Sequence, residues 1–234
     1  MNAVPLWCVV PAAGRGSRVG GDCPKQYMPL AGQPLILHTL QRLASHPQIA
    51  GLLIVLDAAD ARWPGWTSLH GKPILIATGG AARCDSVRAG LDALPASVAD
   101  DDFVLIHDAA RPCVRALDVT RLIDLASRAD GGLLAAPLRD TLKRADAQGR
   151  SERTESRERY WRAMTPQLFR RGQLAAALGA AAEASVVVSD EAMAMERAGY
   201  APLLIEGAED NLKVTTRVDF ALAEFLLART ASCA

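Results

Sequence analysis

Short, almost purely apolar runs alternate along this chain with longer segments whose apolar residues recur every three or four positions. Residues 6–10 (LWCVV), 52–56 (LLIVL), 74–77 (ILIA), 103–106 (FVLI), 132–136 (GLLAA) and 202–205 (PLLI) lack the every-other-residue pattern of a half-exposed strand. They predict strands covered on both faces, as in the middle of a parallel sheet. Between them, residues 34–46, 118–129, 172–184 and 216–228 predict helices, with Pro34 in a first turn and Thr216 and Asp219 at capping-box spacing. Two shorter helices are expected over residues 86–94 and from residue 189 onward, with Ser86 and Ser189 as their N-caps. Regular alternation of strand and helix predicts an α/β fold, a mostly parallel twisted sheet with helices on both faces, as one domain over residues 1–234. One segment breaks the pattern. Residues 139–162 hold eight basic and five acidic residues and almost nothing apolar, too polar for a core. They read as a solvated linker, or as two strands, 141–145 and 157–161, paired across Gln148-Gly149 into an arm inserted at about residues 137–160.

The turn after the first apolar run carries the clearest chemistry. Ala12, Ala13, Gly14 and Gly16 leave backbone N–H groups uncovered, and Arg15, Arg18 and Lys25 lie in or just after them. Bare amides and fixed positive charge behind a buried strand make a site for a polyphosphate. Glycines after a first strand also occur for packing alone, so the surrounding residues decide. Val19 stands where a dinucleotide-binding GxGxxG needs its third glycine, which disfavours an NAD-dependent oxidoreductase, and Lys25 is followed by Gln26, which excludes a P-loop.

AAGxGxR followed by PKQY resembles the signature of the sugar nucleotidyltransferases, and PKQY in particular resembles that of the 2-C-methyl-D-erythritol 4-phosphate cytidylyltransferases of the non-mevalonate isoprenoid pathway. HDAARP, RDT, TPQ and NLKVT extend the resemblance over nearly the whole chain. It implies a Rossmann-like nucleotidyltransferase fold and in-line transfer of CMP from CTP to the acceptor phosphate, with release of pyrophosphate. Arg18 and Lys25 are then expected to stabilise the transition state, and the loop amides to hold the triphosphate. The pattern GGxxRxxSV, from Gly79 to Val87, resembles the family's base-reading segment, which assigns Gly80 and Ser86 to the nucleotide; Ala81 and Ala82 depart from the polar residues of many relatives.

Asp108 ends the fourth predicted strand, where open α/β sheets meet their ligands. It is expected to hold Mg²⁺ and touch the nucleotide, since Mg²⁺ needs few carboxylates beside substrate phosphates; the alternative is an ion pair with Arg111 that only holds the turn. His107 is expected to be structural. Thr165, in TPQ, is expected beside the nucleotide. The resemblance further implies that the arm reaches a second subunit and brings Thr141 and Arg157 to its site, so that a homodimer forms, and that Lys213 of NLKVT holds the acceptor phosphate.

Composition removes some alternatives. Twenty-six basic and twenty-six acidic residues give a formal net charge of zero, which argues against nucleic acid as a partner. Five cysteines without a CxxC pair suggest neither a disulfide framework nor a zinc site. No apolar run approaches the roughly 18 residues of a membrane span, so a soluble cytoplasmic protein is expected. Two rivals survive on the residues alone: the same chemistry on another polyol phosphate such as ribitol 5-phosphate, and a catalytically silent nucleotide-binding module.

Overall fold

Strand β1 (Leu6–Pro11) is buried on both faces, as its unbroken apolar run requires, and it lies near the middle of the main sheet. The computed structural model describes residues 6–14 and 23–231. Arg15, Gly16 and Arg18, assigned above to the phosphate loop, lie outside the described residues. After the short pair β2 (Pro29–Leu30) and β3 (Gln33–Pro34), helix α1 (Leu35–Ala44) crosses back to β4 (Ile49–Leu56), parallel to β1. The antiparallel pair β5 (Ser68–Leu69) and β6 (Lys72–Thr78) follows, then α2 (Arg83–Asp92), β7 (Phe103–Ile106), α3 (Ala116–Ala126) and β8 (Gly132–Pro137). Beyond a hairpin of β9 (Leu142–Ala145) and β10 (Ser151–Glu155) come β11 (Trp161–Arg170), α4 (Arg171–Glu183), α5 (Glu191–Arg197), β12 (Leu203–Glu206) and α6 (Arg217–Ala231).

The eight main strands run in the order β12-β8-β11-β7-β1-β4-β6-β5. Pairs β1/β4, β1/β7, β4/β6 and β8/β12 are parallel, whereas β11 runs antiparallel to both its neighbours. Side chains of one sheet face pack with Ile36, Leu40, Leu43, Val119 and Leu122 of α1 and α3; those of the other pack with Val87, Leu91, Leu174 and Met195 of α2, α4 and α5. The α/β expectation therefore holds in its class and its two-sided core, but β6 and β12, expected to be covered on both faces, lie toward the sheet edges and leave Leu75, Ile76, Leu203 and Leu204 exposed.

Two details differ from expectation. The polar segment does form a hairpin, but β9 pairs with Ser151–Glu155 and not with residues 157–161. Trp161 already belongs to β11, whose apolar second half, Met164 to Phe169, is drawn into the sheet core, and the arm must close before it. The arm strands pair only with each other, antiparallel. Helix α2 also begins three residues before Ser86, because the Asp85 carboxylate accepts the Ala82 N–H at 3.1 Å and caps the earlier turn. Asp190, not Ser189, caps α5, accepting the Met193 N–H at 3.0 Å. The pairing of Thr216 with Asp219 is as expected, with Asp219 accepting the Thr215 and Thr216 N–H groups at the head of α6.

Candidate active site

Chain order reverses at β1: α1 leads to its neighbour β4 on one side, and the later chain returns to β7 on the other. The carboxyl ends of strands at such a switch point diverge and leave a crevice. A cleft of about 240 Å³ opens there. Its walls come from the turn after β1, the Gly80–Ser86 region after β6, the residues after β7, the Lys25–Gln26 turn and Lys213. The sequence-predicted Ala12, Ala13, Gly14, Lys25, Gly80, Ser86, Asp108 and Lys213 thus share one cavity.

Within the β1 turn the roles divide. The Ala12 N–H donates to the Val55 carbonyl at 2.8 Å, and its carbonyl accepts the Gln26 side chain at 2.8 Å, so its N–H is already taken within the fold. Gly14 has open space where a Cβ would stand. Gly79, by contrast, is demanded by packing: a Cβ there would lie 2.7 Å from the Ser86 hydroxyl and 2.8 Å from the Ala13 methyl. This close approach brings the two glycine-bearing turns against each other.

Lys25 stands on a single 3₁₀ turn, Lys25–Tyr27, fixed by the two residues that follow it. Gln26 ties the turn to Ala12, and the Tyr27 hydroxyl donates to Asp60 at 2.7 Å. Trp63 and Trp66, edge to face at 5.2 Å, pack that second loop onto the core. The Lys25 ammonium donates to the Val214 carbonyl at 2.9 Å, next to Lys213.

Asp108 is the centre of the electrostatics. It is the one carboxylate lining the cleft among the described residues. Its Oδ1 accepts from Arg83 Nε at 3.1 Å, and its Oδ2 accepts from Arg111 Nε at 3.3 Å and Lys213 Nζ at 3.0 Å. Burial pushes its carboxyl upward, but Arg83, Lys213 and Arg111 outweigh that and hold it well below the usual carboxylate range. The ion pair with Arg111 considered above is present, as one of three. Two acids thus support the cations: burial opposes the charge on Arg83, and Glu191 and Asp108 more than restore it.

Beneath Asp108 lies a connected polar layer. Its N–H donates to the Thr165 hydroxyl at 2.9 Å, and that hydroxyl faces His107 Nδ1 at 3.0 Å. The Arg111 carbonyl, 3.2 Å from Nε2, can only accept, so Nε2 carries the proton of the neutral ring and Nδ1 accepts from the Thr165 hydroxyl. His107 is fully buried, and burial pulls its pKa down to about 4, as befits the structural role expected of it. Asn211 donates to the Thr165 carbonyl, and Arg111 to the Asn211 carbonyl, which docks the NLKVT segment on the same layer. Thr165 does not line the cleft. Replacing it by valine leaves the buried Asp108 N–H without an acceptor, which costs about 1–3 kcal/mol. For a domain of this size that lowers Tm by about 2–12 °C. Thermal unfolding of the ligand-free Thr165→Val protein checks this; an unchanged Tm would leave only a ligand contact for Thr165.

Thr141 and Arg157 are not brought to this cleft. Both are exposed beside the arm, and Arg157 donates to the Arg139 carbonyl. Glu191 was missed by sequence reasoning: it looks like an ordinary first-turn acid, yet it is 1% exposed and grips Arg83 through both carboxylate oxygens, at 2.5 and 3.0 Å.

Among the described residues no cluster of three metal-binding side chains exists. A carboxylate offers about four lone-pair directions, and the three cations on Asp108 leave one. That donor set fits a hard dication such as Mg²⁺, which takes one carboxylate and fills its shell with water and phosphate oxygens. No helix among the described residues is long and apolar enough to cross a membrane.

The family model for IspD, 2-C-methyl-D-erythritol 4-phosphate cytidylyltransferase, matches residues 6–229. A protein of that name from Xanthomonas euvesicatoria pv. vesicatoria (strain 85-10) is 58% identical over 224 residues, 95% of this chain and 84% of the relative. One from Xanthomonas oryzae pv. oryzae (strain PXO99A) is 58% identical over 226 residues, 96% of this chain and 83% of the relative. The crystal structure of the Francisella tularensis 2-C-methyl-D-erythritol 4-phosphate cytidylyltransferase superposes with a TM-score of 0.81 at 30% identity, covering 95% of this chain and 99% of that one. A 4-diphosphocytidyl-2C-methyl-D-erythritol synthase superposes at 0.82 with 34% identity, covering 95% and 98%. A strand-end cleft walled by small residues and rimmed with lysine and arginine, together with these matches along nearly the full length, leads to one conclusion: the chain belongs to the 2-C-methyl-D-erythritol 4-phosphate cytidylyltransferase family.

Proposed function

We propose that this chain transfers CMP from CTP to 2-C-methyl-D-erythritol 4-phosphate, giving 4-diphosphocytidyl-2-C-methyl-D-erythritol and pyrophosphate. An oxygen of the acceptor phosphate bonds to the α-phosphorus of CTP while the bond from that phosphorus to the α,β-bridging oxygen breaks. The nucleophile is already ionised near neutral pH, so no side chain has to remove a proton. The protein's task is to align two anions and to offset negative charge as it shifts toward the leaving pyrophosphate.

The gathering of Lys25, Lys213 and Arg83 around Asp108 in one cleft is the observation that carries this reading. The amides from Ala13 onward hold the triphosphate, and Gly80 and Ser86 hold the base. Lys25 neutralises the transition state, joined by Arg18. Lys213, half-exposed and held by Asp108, turns its remaining donors to the acceptor phosphate. Asp108 would hold Mg²⁺, which would supply positive charge to the phosphates when bound. Thr141 and Arg157 act from the arm of a partner subunit, a role consistent with their distance from their own chain's cleft. Pyrophosphate release from CTP and Mg²⁺ with either acceptor tests the reading: turnover with methylerythritol phosphate is expected and turnover with ribitol 5-phosphate is not. Release with neither would leave a silent nucleotide-binding module.

The shared site has its own test. Arg157→Ala is expected to raise KM for the acceptor with a smaller change for CTP. At an acceptor concentration too low for either variant alone to turn over measurably, mixing Arg157→Ala and Lys25→Ala chains regenerates complete sites only if the arm acts across a two-fold dimer. Random exchange then restores about a quarter of the wild-type activity, since half of the dimers are mixed and each has one intact site. Activity no greater than the sum of the separate variants would place Arg157 in its own subunit's site.

A further inference from the structure

We propose that Glu191 is a positioning residue for the nucleotide, acting through Arg83 from behind the cleft. The inference rests on the cytidylyl-transfer reading of this site. Arg83 opens α2 at the cleft wall, and its guanidinium bridges two acids on opposite sides. Nε reaches Asp108 at 3.1 Å, while the two terminal nitrogens reach the two oxygens of Glu191. A bidentate guanidinium–carboxylate pair fixes both position and plane, which a lysine or a single hydrogen bond cannot do.

Glu191 does not line the cleft and is 1% exposed, so it cannot touch a substrate. Its backbone is pinned independently. Gln167 of β11 accepts the Ala192 N–H at 2.8 Å and donates to Asp190 at 3.0 Å, so the start of α5 is locked to the sheet. Glu191 is therefore a rigid anchor, and Arg83 is the part it holds still.

That restraint matters because of where Arg83 sits. Its residue follows the Gly80–Ala82 wall, and its Nε helps aim Asp108. A guanidinium freed from Glu191 has donors to offer the triphosphate in the same cavity, which would draw it off Asp108 and carry the first turn of α2 out of register with the base. With Ala81 and Ala82 contributing no polar side chain, this turn reads the base through its backbone and Ser86, both of which move with the start of α2.

Glu191→Gln keeps the shape and removes the charge. Its dissociation constant for CTP with Mg²⁺, measured by calorimetry without acceptor, is expected to rise about tenfold, whereas KM for the acceptor at saturating CTP stays within twofold. In an Arg83→Gln background the same Glu191→Gln change should move the CTP dissociation constant by less than twofold, because its route is already cut. Glu191→Asp, which keeps the charge but shortens the reach, provides a second reading if the Gln protein does not fold, with a rise of about threefold or more expected. A folded variant that binds CTP within twofold of wild type, or an equal rise in both substrates' constants, overturns the proposal. Calorimetry needs no turnover, so failure of the acceptor assignment leaves it intact; wild-type protein that binds no CTP removes both readings together.

Discussion

Lys25→Ala is expected to lower kcat by a factor of about 10² or more while raising KM for CTP far less. The asymmetry follows from how Lys25 is held. The 3₁₀ turn is braced by Gln26 on Ala12 and by Tyr27 on Asp60, and neither bond involves the lysine side chain. Truncation therefore removes an ammonium from the cleft without loosening the turn. In the ground state the triphosphate keeps its other partners, the amides after β1 and the remaining cations. As the bond to the bridging oxygen breaks, charge accumulates on the leaving group, and a fixed donor there is worth about 2.7–4 kcal/mol in the transition state alone. Lys25→Arg should recover little, because a planar fork does not fit where a compact ammonium donates to the Val214 carbonyl at 2.9 Å. Steady-state pyrophosphate release across a CTP series checks both halves; a kcat near that of wild type would remove Lys25 from the chemistry.

Much of this arrangement was legible in the sequence because it is local. Buried strands are continuous apolar runs, so β1, β4, β7 and β8 announce themselves; the runs at β6 and β12 also mark strands, but these lie toward the sheet edges and leave Leu75, Ile76, Leu203 and Leu204 exposed. Loops that follow them must meet at the strand ends, which is how Gly14, Gly80 and Asp108 come to share a cavity. What was hidden depends on distant partners. β11 begins with exposed Arg162 and Ala163 and contains Pro166, so it resembles the end of the arm more than the middle of a sheet. Its place is set by antiparallel pairing with β7 and β8, across a register shift between Ala163 and Gln167. Glu191 was hidden for a related reason. A first-turn glutamate has a sufficient local explanation, and only the fold brings Arg83, 108 residues earlier, into its reach. Asp108 was read as either a ligand for metal or a partner for Arg111; the ion pair with Arg111 is present, and the fold adds Arg83 and Lys213, which no local pattern pointed to.

Asp108→Ala is expected to separate affinity from catalysis. Arg83 keeps Glu191 and Lys213 is half-exposed, so the cation left worst placed is Arg111, which is buried and keeps the Asn211 carbonyl. Removing one partner of a buried pair costs about 3–5 kcal/mol. For a domain of this size that corresponds to a fall in Tm of about 6–20 °C without ligand. Asp108→Asn preserves the shape and should lose less stability, but its single amide oxygen can accept only from Arg83 or from Arg111 and Lys213, and its NH₂ faces the others. Both variants should lose turnover by a factor of about 10² or more, through the loss of the restraint on Lys213 and, on the proposed mechanism, of a ligand for Mg²⁺. Binding of the nucleotide should go the other way. Without the carboxylate, Arg83, Arg111, Lys213 and Lys25 present their charge to an anion with one fewer competitor, so in the absence of Mg²⁺ and at low salt the variants should bind CTP at least as tightly as the wild type does. Calorimetry with and without Mg²⁺ reads this directly. If affinity without metal collapses together with turnover, Asp108 holds the nucleotide itself, and its part in organising the cations is secondary.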